Sequence, residues 1–374
     1  MTNKNQQAFF ALVRAGLWEK EARLSVFDAI DFNEVYRIAE EQAVVGLVAA
    51  GMEHVTDVKI PQTTFLFFVG TAVQMEQRNK AMNVFVAELI ERLRKVNIYA
   101  TLVKGQGIAQ CYVKPLWRAC GDVDLLLSEE NYEKAKALLM PLASSVEDED
   151  KKRMHQGMII NGWKVELHGT LRSLLGKRID KIIDEAQDDT LQYGNVRVWQ
   201  NGKVVVYLPS PDNDMIFVFC HILQHFFRGG IGLRQICDWC RLLWTYRDVI
   251  DQGALELRLR KARLMTEWKA FAAFVVEHLG MPVEAMPLFN KNDDLNANMR
   301  KADRIMAFVL ETGNFGQRRD KSYYEKYPFL VYKAISLWKH TKDSLWHFSL
   351  FPDVAFREWW RMLKHGVHVA AEGK

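Results

Sequence analysis

The sequence predicts an α+β protein in which a small mixed sheet lies between two helical regions. Residues 1–97 carry apolar side chains three and four positions apart with few turn signals, which is the period of a helix. In residues 98–210 short apolar runs between turns replace this pattern and indicate alternating strands and helices. The helical period returns in residues 211–374. We therefore expect an N-terminal helical region, an α/β core and a C-terminal helical region with these bounds.

Two helices follow from capping and proline signals in the N-terminal region. Asp31 or Asn33 can cap a helix over residues 34–50, because a side-chain oxygen accepts a backbone N–H that has no partner in the first helical turn. A second helix starts at Pro61 and meets no further proline in this region. It is either continuous or broken at Gly70.

Five strands are expected in the core. Each is a short apolar run bounded by turn residues, and together they cover residues 98–103, 122–127, 158–160, 164–168 and 204–208. Ser128 caps the helix that follows the second strand. Asn161-Gly162 provides the positive φ angles of a tight hairpin between the third and fourth strands.

The composition is that of a globular protein and does not favour nucleic-acid or membrane partners. The 374 residues are 49% hydrophobic, and 50 basic against 46 acidic side chains leave a net charge of +4. Proteins that bind nucleic-acid phosphates usually carry a larger basic excess. No apolar run approaches the roughly 20 residues of a membrane-spanning helix. Five cysteines without framework spacing and a start without leader features lead us to expect free thiols and a cytoplasmic location.

Acidic residues recur on one side of two predicted strands. Side chains alternate between the faces of a strand, so Asp122 and Asp124 share one face while the apolar residues between and after them point into the core. The same alternation puts Lys164, Glu166 and His168 on one face of a later strand. If the two strands pair, three carboxylates converge.

Three converging carboxylates form a ligand set for divalent cations. Without compensation Asp122 and Asp124 would repel each other, so a bound cation is the natural neutraliser. Magnesium prefers carboxylate, phosphate and water oxygens, with Mn²⁺ as a second choice. Three acids are the minimum set for two ions about 4 Å apart, and Glu166 is best placed to deprotonate an acceptor hydroxyl. The alternative is a solvated strand edge that binds nothing.

A glycine-containing turn precedes the acid pair. Lys104-Gly105-Gln106-Gly107 ends the first predicted strand and opens a helix. Backbone N–H groups in such a turn can bind phosphate oxygens.

With these motifs in this order, the sequence resembles the nucleotidyltransferase superfamily related to DNA polymerase beta, and more narrowly a bacterial branch of it. Members share a glycine turn, an Asp-x-Asp or Asp-x-Glu strand and a later third acid. The resemblance spans most of residues 30–350. Its specific residues lie at 102–105, 115–126 and 165–168, and the segment 221–239 also fits.

The resemblance implies transfer of a nucleoside monophosphate from a nucleoside triphosphate, such as ATP, to a hydroxyl-bearing acceptor. It implies two magnesium ions bound by Asp122 and Asp124, with Glu166 completing one of the two sites. It identifies no acceptor, and the low net charge favours a small molecule or a protein over nucleic acid.

The resemblance also implies that Lys104, Gly105 and Gly107 orient the triphosphate. The chain departs from the superfamily after the first glycine, where Gln106 occupies the position of a serine or glycine. We expect Lys104 and Arg118 to compensate for the missing hydroxyl by neutralising phosphate charge.

Four residues are candidates for substrate contacts: His168, His225, Arg234 and Asp238. Arg234 and Asp238 lie four apart on a predicted helix and can form an intrahelical ion pair. If it lies near Asp124, Arg234 can instead bind the triphosphate. His155, like His168, is a candidate for lining the pocket.

A zinc site is another interpretation of the C-terminal region. His221 and His225 are four apart on one helix face, and Cys237 and Cys240 add two thiols. The same spacing suits histidines that pack in a helical core or contact substrate.

Two other classes of protein remain open. An Asp-x-Asp glycosyltransferase binds a metal and a sugar nucleotide, although it usually has a larger α/β region before the motif. A catalytically inactive helical scaffold or regulatory protein would keep the fold without binding metal.

Overall fold

The computed structural model describes residues 3–318, 326 and 328–372, and shows one mixed sheet with helices before and after it. The predicted α+β class is confirmed. The helices before the sheet are α1 (Lys4–Trp18), α2 (Phe32–Glu41), α3 (Val45–Met52) and α4 (Gln62–Arg94).

The sheet has seven strands in the order β3-β4-β5-β2-β1-β7-β6. Their bounds are β1 (Thr101–Val103), β2 (Asp122–Leu126), β3 (Ser145–Val146), β4 (His155–Ile160), β5 (Trp163–His168), β6 (Val196–Asn201) and β7 (Val204–Pro209). The pairs β2–β5 and β1–β7 are parallel, and the other neighbouring pairs are antiparallel. The five predicted strands are present, and β3 and β6 extend the sheet at its two edges.

Three helices lie between strands of the sheet, and seven further helices of the described chain follow it. The first group is α5 (Gly105–Ala109), α6 (Glu129–Leu139) and α7 (Lys177–Leu191). The second group is α8 (Pro211–Arg228), α9 (Leu233–Thr245), α10 (Gln252–Ala262), α11 (Met265–Leu279), α12 (Asn296–Thr312), α13 (Phe329–Phe348) and α14 (Pro352–Glu372).

Local signals explain most helix and turn boundaries. The Asp31 carboxylate accepts the backbone N–H of Asn33 at 2.9 Å and caps α2, as the sequence predicts. The predicted helix over residues 34–50 is divided into α2 and α3, because Ala43 has a φ of 55° that an α-helix does not allow. The helix α4 continues through Gly70 without a break.

One face of the sheet is apolar and packs against helices. Val123, Leu125 and Leu167 are fully buried beside Phe85 of α4 and Tyr132 of α6. Burial of a side chain of this size contributes about 1.5–3 kcal/mol, so this face fixes the register of β2 and β5. Because side chains alternate, the polar residues of these strands are directed to the opposite face.

Helices α8 and α9 belong to a second apolar cluster, built by the regions before and after the sheet. Phe219 of α8 stacks on Trp239 of α9 with ring centroids 5.3 Å apart, and Trp268 of α11 meets both rings at 4.9 Å. This cluster also contains residues of α1 and α3. It therefore holds α8 and α9 as a rigid unit beside the polar face of the sheet.

Within the described ranges, every helix is too short or too polar to cross a membrane.

Candidate active site

The three predicted acids lie together on the polar face of the sheet. Asp124 of β2 is paired with Glu166 of β5 in the parallel register, and Asp122 is paired with Lys164. One carboxylate oxygen from each of Asp122, Asp124 and Glu166 lies within 4.8 Å of the other two. Strand pairing thus brings Glu166 next to two aspartates that lie more than forty residues earlier in the sequence.

The two aspartates differ in their surroundings. The charge of Asp124, with burial and the charge of Glu166, raises the pKa of Asp122 to about 6. Burial opposes ionisation of Asp124 as well, but Lys104 Nζ at 3.1 Å and His168 Nε2 at 2.8 Å contact its Oδ1 atom, and its pKa is well below the usual range. Asp124 is therefore ionised at neutral pH. Asp122 lies close to other negative charges, so it is protonated more easily than an ordinary aspartate.

Glu166 is held by two neighbours in the sheet. Lys164 Nζ lies 2.8 Å from its Oε1 atom, and His155 Nε2 lies 3.2 Å from its Oε2 atom. Burial raises the pKa of Glu166, but these hydrogen bonds outweigh it and lower the pKa to about 2. Glu166 is therefore ionised at neutral pH.

This donor set fits a hard divalent cation. Its ligand atoms are carboxylate oxygens, which Mg²⁺ and Mn²⁺ accept. A cation bound there would also relieve the repulsion that raises the pKa of Asp122.

Two cavities meet at the acids. The first, of about 820 Å³, is lined by Asp122 and Asp124, by Gly105 of α5 and by residues of α8 and α9. The second, of about 790 Å³, is lined by His155, His168 and the loop that follows β5. Four residues border both: Lys104, Glu166, His221 and His225. A molecule in either cavity can therefore reach Glu166.

The predicted glycine turn lies beside the acids. Lys104 and Gly105 have φ values of 58° and 41°, and this bend directs the Lys104 ammonium to Asp124. A Cβ at Gly107 would lie 2.7 Å from a Leu208 methyl carbon, so this glycine permits close packing of α5 on β7 and is outside both cavity linings. Gln106 is buried with its amide against the Met82 sulfur, and it does not replace the missing hydroxyl.

A protein-family model for uncharacterised nucleotidyltransferases matches residues 28–280, which is more than half of the chain. The chain belongs to this nucleotidyltransferase family. Searches of the curated proteins and of the solved structures found no match. The family membership confirms the resemblance seen in the sequence and does not favour the glycosyltransferase alternative.

Arg118 forms a buried ion pair with Asp238. Its Nε and Nη2 atoms donate to the two carboxylate oxygens of Asp238 at 3.0 and 2.5 Å, and both residues are buried. The Tyr112 hydroxyl also donates to Asp238, at 2.8 Å. Asp238 therefore pairs with Arg118, and within the described residues no ion pair joins it to Arg234 as the helical spacing predicted.

Arg234 has fewer partners for its positive charge than Arg118. Its Nη1 atom donates to the Ala119 carbonyl at 3.1 Å, while its Nε atom is buried and has no hydrogen-bond partner in the described chain. Burial and the charge of Arg118 lower its pKa. Its guanidinium borders the cavity that holds Asp122, where it can bind an anion.

The histidines of α8 lie over the acids as neutral side chains. The rings of His221 and His225 are 4.4 Å apart. Burial and the nearby Lys104 charge lower the pKa of His225 to about 4 and that of His221 well below its usual value. Both can exchange hydrogen bonds with a substrate without carrying charge.

The zinc interpretation of these histidines is not supported. Two groups of metal-competent side chains gather within the described residues, and neither includes His221 or His225. Cys237 and Cys240 are fully buried in the helical apolar cluster.

Proposed function

We propose that this protein transfers a nucleoside monophosphate from a nucleoside triphosphate to a hydroxyl-bearing acceptor, with magnesium bound by Asp122, Asp124 and Glu166. The observation that carries the proposal is the convergence of these three carboxylates, from two parallel strands, within 4.8 Å. Membership in the nucleotidyltransferase family supports the same reaction.

In this proposal Asp122 and Asp124 hold two magnesium ions and Glu166 completes one of the sites, with Mn²⁺ as a substitute. The bound ions would activate the acceptor hydroxyl and neutralise the leaving pyrophosphate. The buried position of Asp124 and its bonds to Lys104 and His168 keep the ligand oxygens in place before substrate arrives.

We assign the nucleotide to the first cavity. Lys104 and Gly105, at the turn after β1, and Arg234 of α9 all line it, so groups from two parts of the chain can bind phosphate oxygens. Arg118 also lines this cavity, but Asp238 neutralises most of its charge. We therefore expect Arg234 to provide more of the binding free energy for the triphosphate, with Asp238 positioning Arg118.

The second cavity is the proposed acceptor site. Glu166 borders both cavities, so it can accept the proton of a hydroxyl that enters from this side. Because the pKa of Glu166 is about 2, this transfer would require a bound magnesium ion that lowers the pKa of the hydroxyl. His168 and His225 also line this cavity and can orient the hydroxyl by hydrogen bonds. We expect the acceptor to be a small molecule or a protein side chain, because the low net charge of the chain does not favour nucleic acid.

We also place the protein in the cytoplasm. All five cysteines are buried free thiols, which fits a reducing compartment.

Calorimetry with Mg²⁺ and each of ATP, CTP, GTP, UTP and UDP-glucose tests the reaction class. We expect a triphosphate to bind and Asp122→Ala and Asp124→Ala to abolish its binding. Binding of UDP-glucose alone would indicate a glycosyltransferase, and binding of none of them would indicate an inactive scaffold.

Mass spectrometry of metabolites and proteins incubated with the enzyme, Mg²⁺ and labelled ATP then identifies the acceptor. An adenylate added to a protein, a nucleotide or a sugar assigns the acceptor class directly.

A further inference from the structure

Two histidines converge on the oxygen of Glu166 that faces the second cavity. His155 of β4 lies directly opposite His168 of β5, and their ring centroids are 4.8 Å apart. Their Nε2 atoms lie 3.2 and 3.7 Å from Glu166 Oε2. All three ligand atoms lie within 4.8 Å of one another.

These separations are close to those between ligands of one metal ion. Zinc binds imidazole nitrogen and carboxylate oxygen at about 2.0–2.2 Å, which places neighbouring ligands roughly 3–3.5 Å apart. Lys164 occupies the other oxygen of Glu166 at 2.8 Å and so keeps Oε2 turned to the histidines. Only small movements of His155 and His168 are needed to surround an ion.

We propose that His155, Glu166 and His168 form a binding site for a first-row transition-metal ion such as Mn²⁺ or Zn²⁺. Imidazole nitrogen suits these ions, whereas Mg²⁺ prefers oxygen ligands only. The site differs from the magnesium site of Asp122 and Asp124 in its ligand chemistry and shares Glu166 with it. Without the ion, His168 Nε2 contacts Asp124 Oδ1 at 2.8 Å, so binding of the transition metal would replace this contact.

The second cavity leaves this site open to substrate. Three protein ligands leave coordination positions free, as in catalytic zinc sites, and the cavity of about 790 Å³ lies beside them. The assignment of the site rests on its geometry alone. Its part in catalysis rests on the proposed function, in which it would orient an acceptor group next to Glu166.

Pulsed electron paramagnetic resonance with Mn²⁺ alone tests the site, because a directly bound imidazole gives a nitrogen coupling that carboxylates and water do not give. We expect this coupling in the full-length protein without nucleotide. The His155→Gln variant should remove one nitrogen coupling and weaken Mn²⁺ binding at this site at least about tenfold. His155 is partly exposed, so this substitution leaves the fold intact.

Two further variants identify the source of the signal. The His225→Gln variant removes a histidine of the same cavity outside the ligand set and should keep the coupling. The Asp122→Asn variant should also keep the coupling while losing magnesium-dependent triphosphate binding, which separates this proposal from the proposed function. Absence of nitrogen coupling at millimolar Mn²⁺, or a nitrogen coupling that is the same in His155→Gln as in the wild type, would overturn the assignment.

Discussion

Asp124 and Glu166 lie opposite each other across the parallel pair of β2 and β5. Parallel strands need a long connection, and here α6 and the β3–β4 hairpin provide it. Any change in the register by one residue would turn Glu166 into the apolar cluster. The site therefore depends on the same core residues that fix the sheet.

We predict that Asp124→Asn lowers magnesium-dependent triphosphate binding and transfer by at least about a hundredfold. Loss of an outer partner of a metal ligand already costs about 10–100-fold, and Asp124 is a proposed ligand. Calorimetry and a pyrophosphate-release assay measure the two effects. Glu147→Gln is the control, because Glu147 contacts Lys164 as Glu166 does but lies outside the acid cluster. Equal losses in both variants would contradict the prediction.

The convergence of the acids was predictable because strand alternation is local. The period of two places Asp122 with Asp124, and Glu166 with His168, from sequence alone. The sequence alone did not establish that these two strands pair. The contact of His155 with Glu166 was not foreseen, because β4 begins at His155, three residues before the predicted strand. The sequence did contain a signal for this contact: the alternation of side chains along the strand can be extended from Ile160 back to His155.

Contacts between residues of different helices and strands could not be predicted in the same way. The spacing of Arg234 and Asp238 indicates an intrahelical pair, but Asp238 binds Arg118, which lies 120 residues earlier. The packing of α9 against the segment before β2 determines which arginine pairs with Asp238. No local sequence pattern indicates this packing. The break between α2 and α3 at Ala43 lies beside a similar long-range contact, because the Gln42 amide donates to the Val309 carbonyl 267 residues later.

We predict that Arg118→Gln destabilises the protein by about 3–5 kcal/mol, because it leaves the buried Asp238 carboxylate without its counter-ion. Urea denaturation measures the free energy of unfolding. Adding Asp238→Asn should recover part of the loss, since the Tyr112 hydroxyl can still donate to the amide oxygen. A loss below about 1 kcal/mol in the single variant would show that the pair is not important for stability.

We predict that Arg234→Gln weakens binding of magnesium and ATP at least about tenfold and leaves the melting temperature near that of the wild type. Its side chain is half-buried, its Nε atom has no hydrogen-bond partner in the described chain, and burial lowers its pKa, so removal relieves a desolvation penalty while deleting a phosphate ligand. Arg247→Gln, at an exposed arginine after α9, is the matched control. Unchanged affinity would exclude Arg234 from the nucleotide site.

We predict that Gly70→Ala stabilises the protein by about 0.5–1 kcal/mol. Gly70 lies inside α4, is exposed, and has no atom within 4 Å of an added Cβ, so alanine gains helix propensity without a clash. Gly107→Ala is the contrasting variant and should destabilise, because its Cβ would meet Leu208. Thermal unfolding of both variants gives the comparison, and a lower melting temperature for Gly70→Ala would contradict the prediction.

A buried carboxyl far from the proposed active site should govern part of the pH dependence of stability. Glu267 in the first turn of α11 is 3% exposed, and its Oε2 atom has no hydrogen-bond partner in the described chain. Burial raises the pKa of Glu267 from 4.5 to about 7. The folded protein therefore binds a proton more tightly at this position than the unfolded chain does.

We predict that the contribution of Glu267 to the free energy of unfolding is greatest below about pH 4.5 and falls as the pH rises to about 7 and slightly above. The sign follows because the raised pKa favours the protonated folded state, and ionisation in the buried site then costs about 3 kcal/mol. The Glu267→Gln variant cannot ionise at this position, so the difference between wild type and variant isolates this group from all other carboxylates. Urea denaturation at about pH 5 and pH 8 should show the variant gaining stability relative to wild type at the higher pH. A difference that is the same at both pH values would mean that Glu267 titrates as a solvated carboxylate and that α11 admits water at this point.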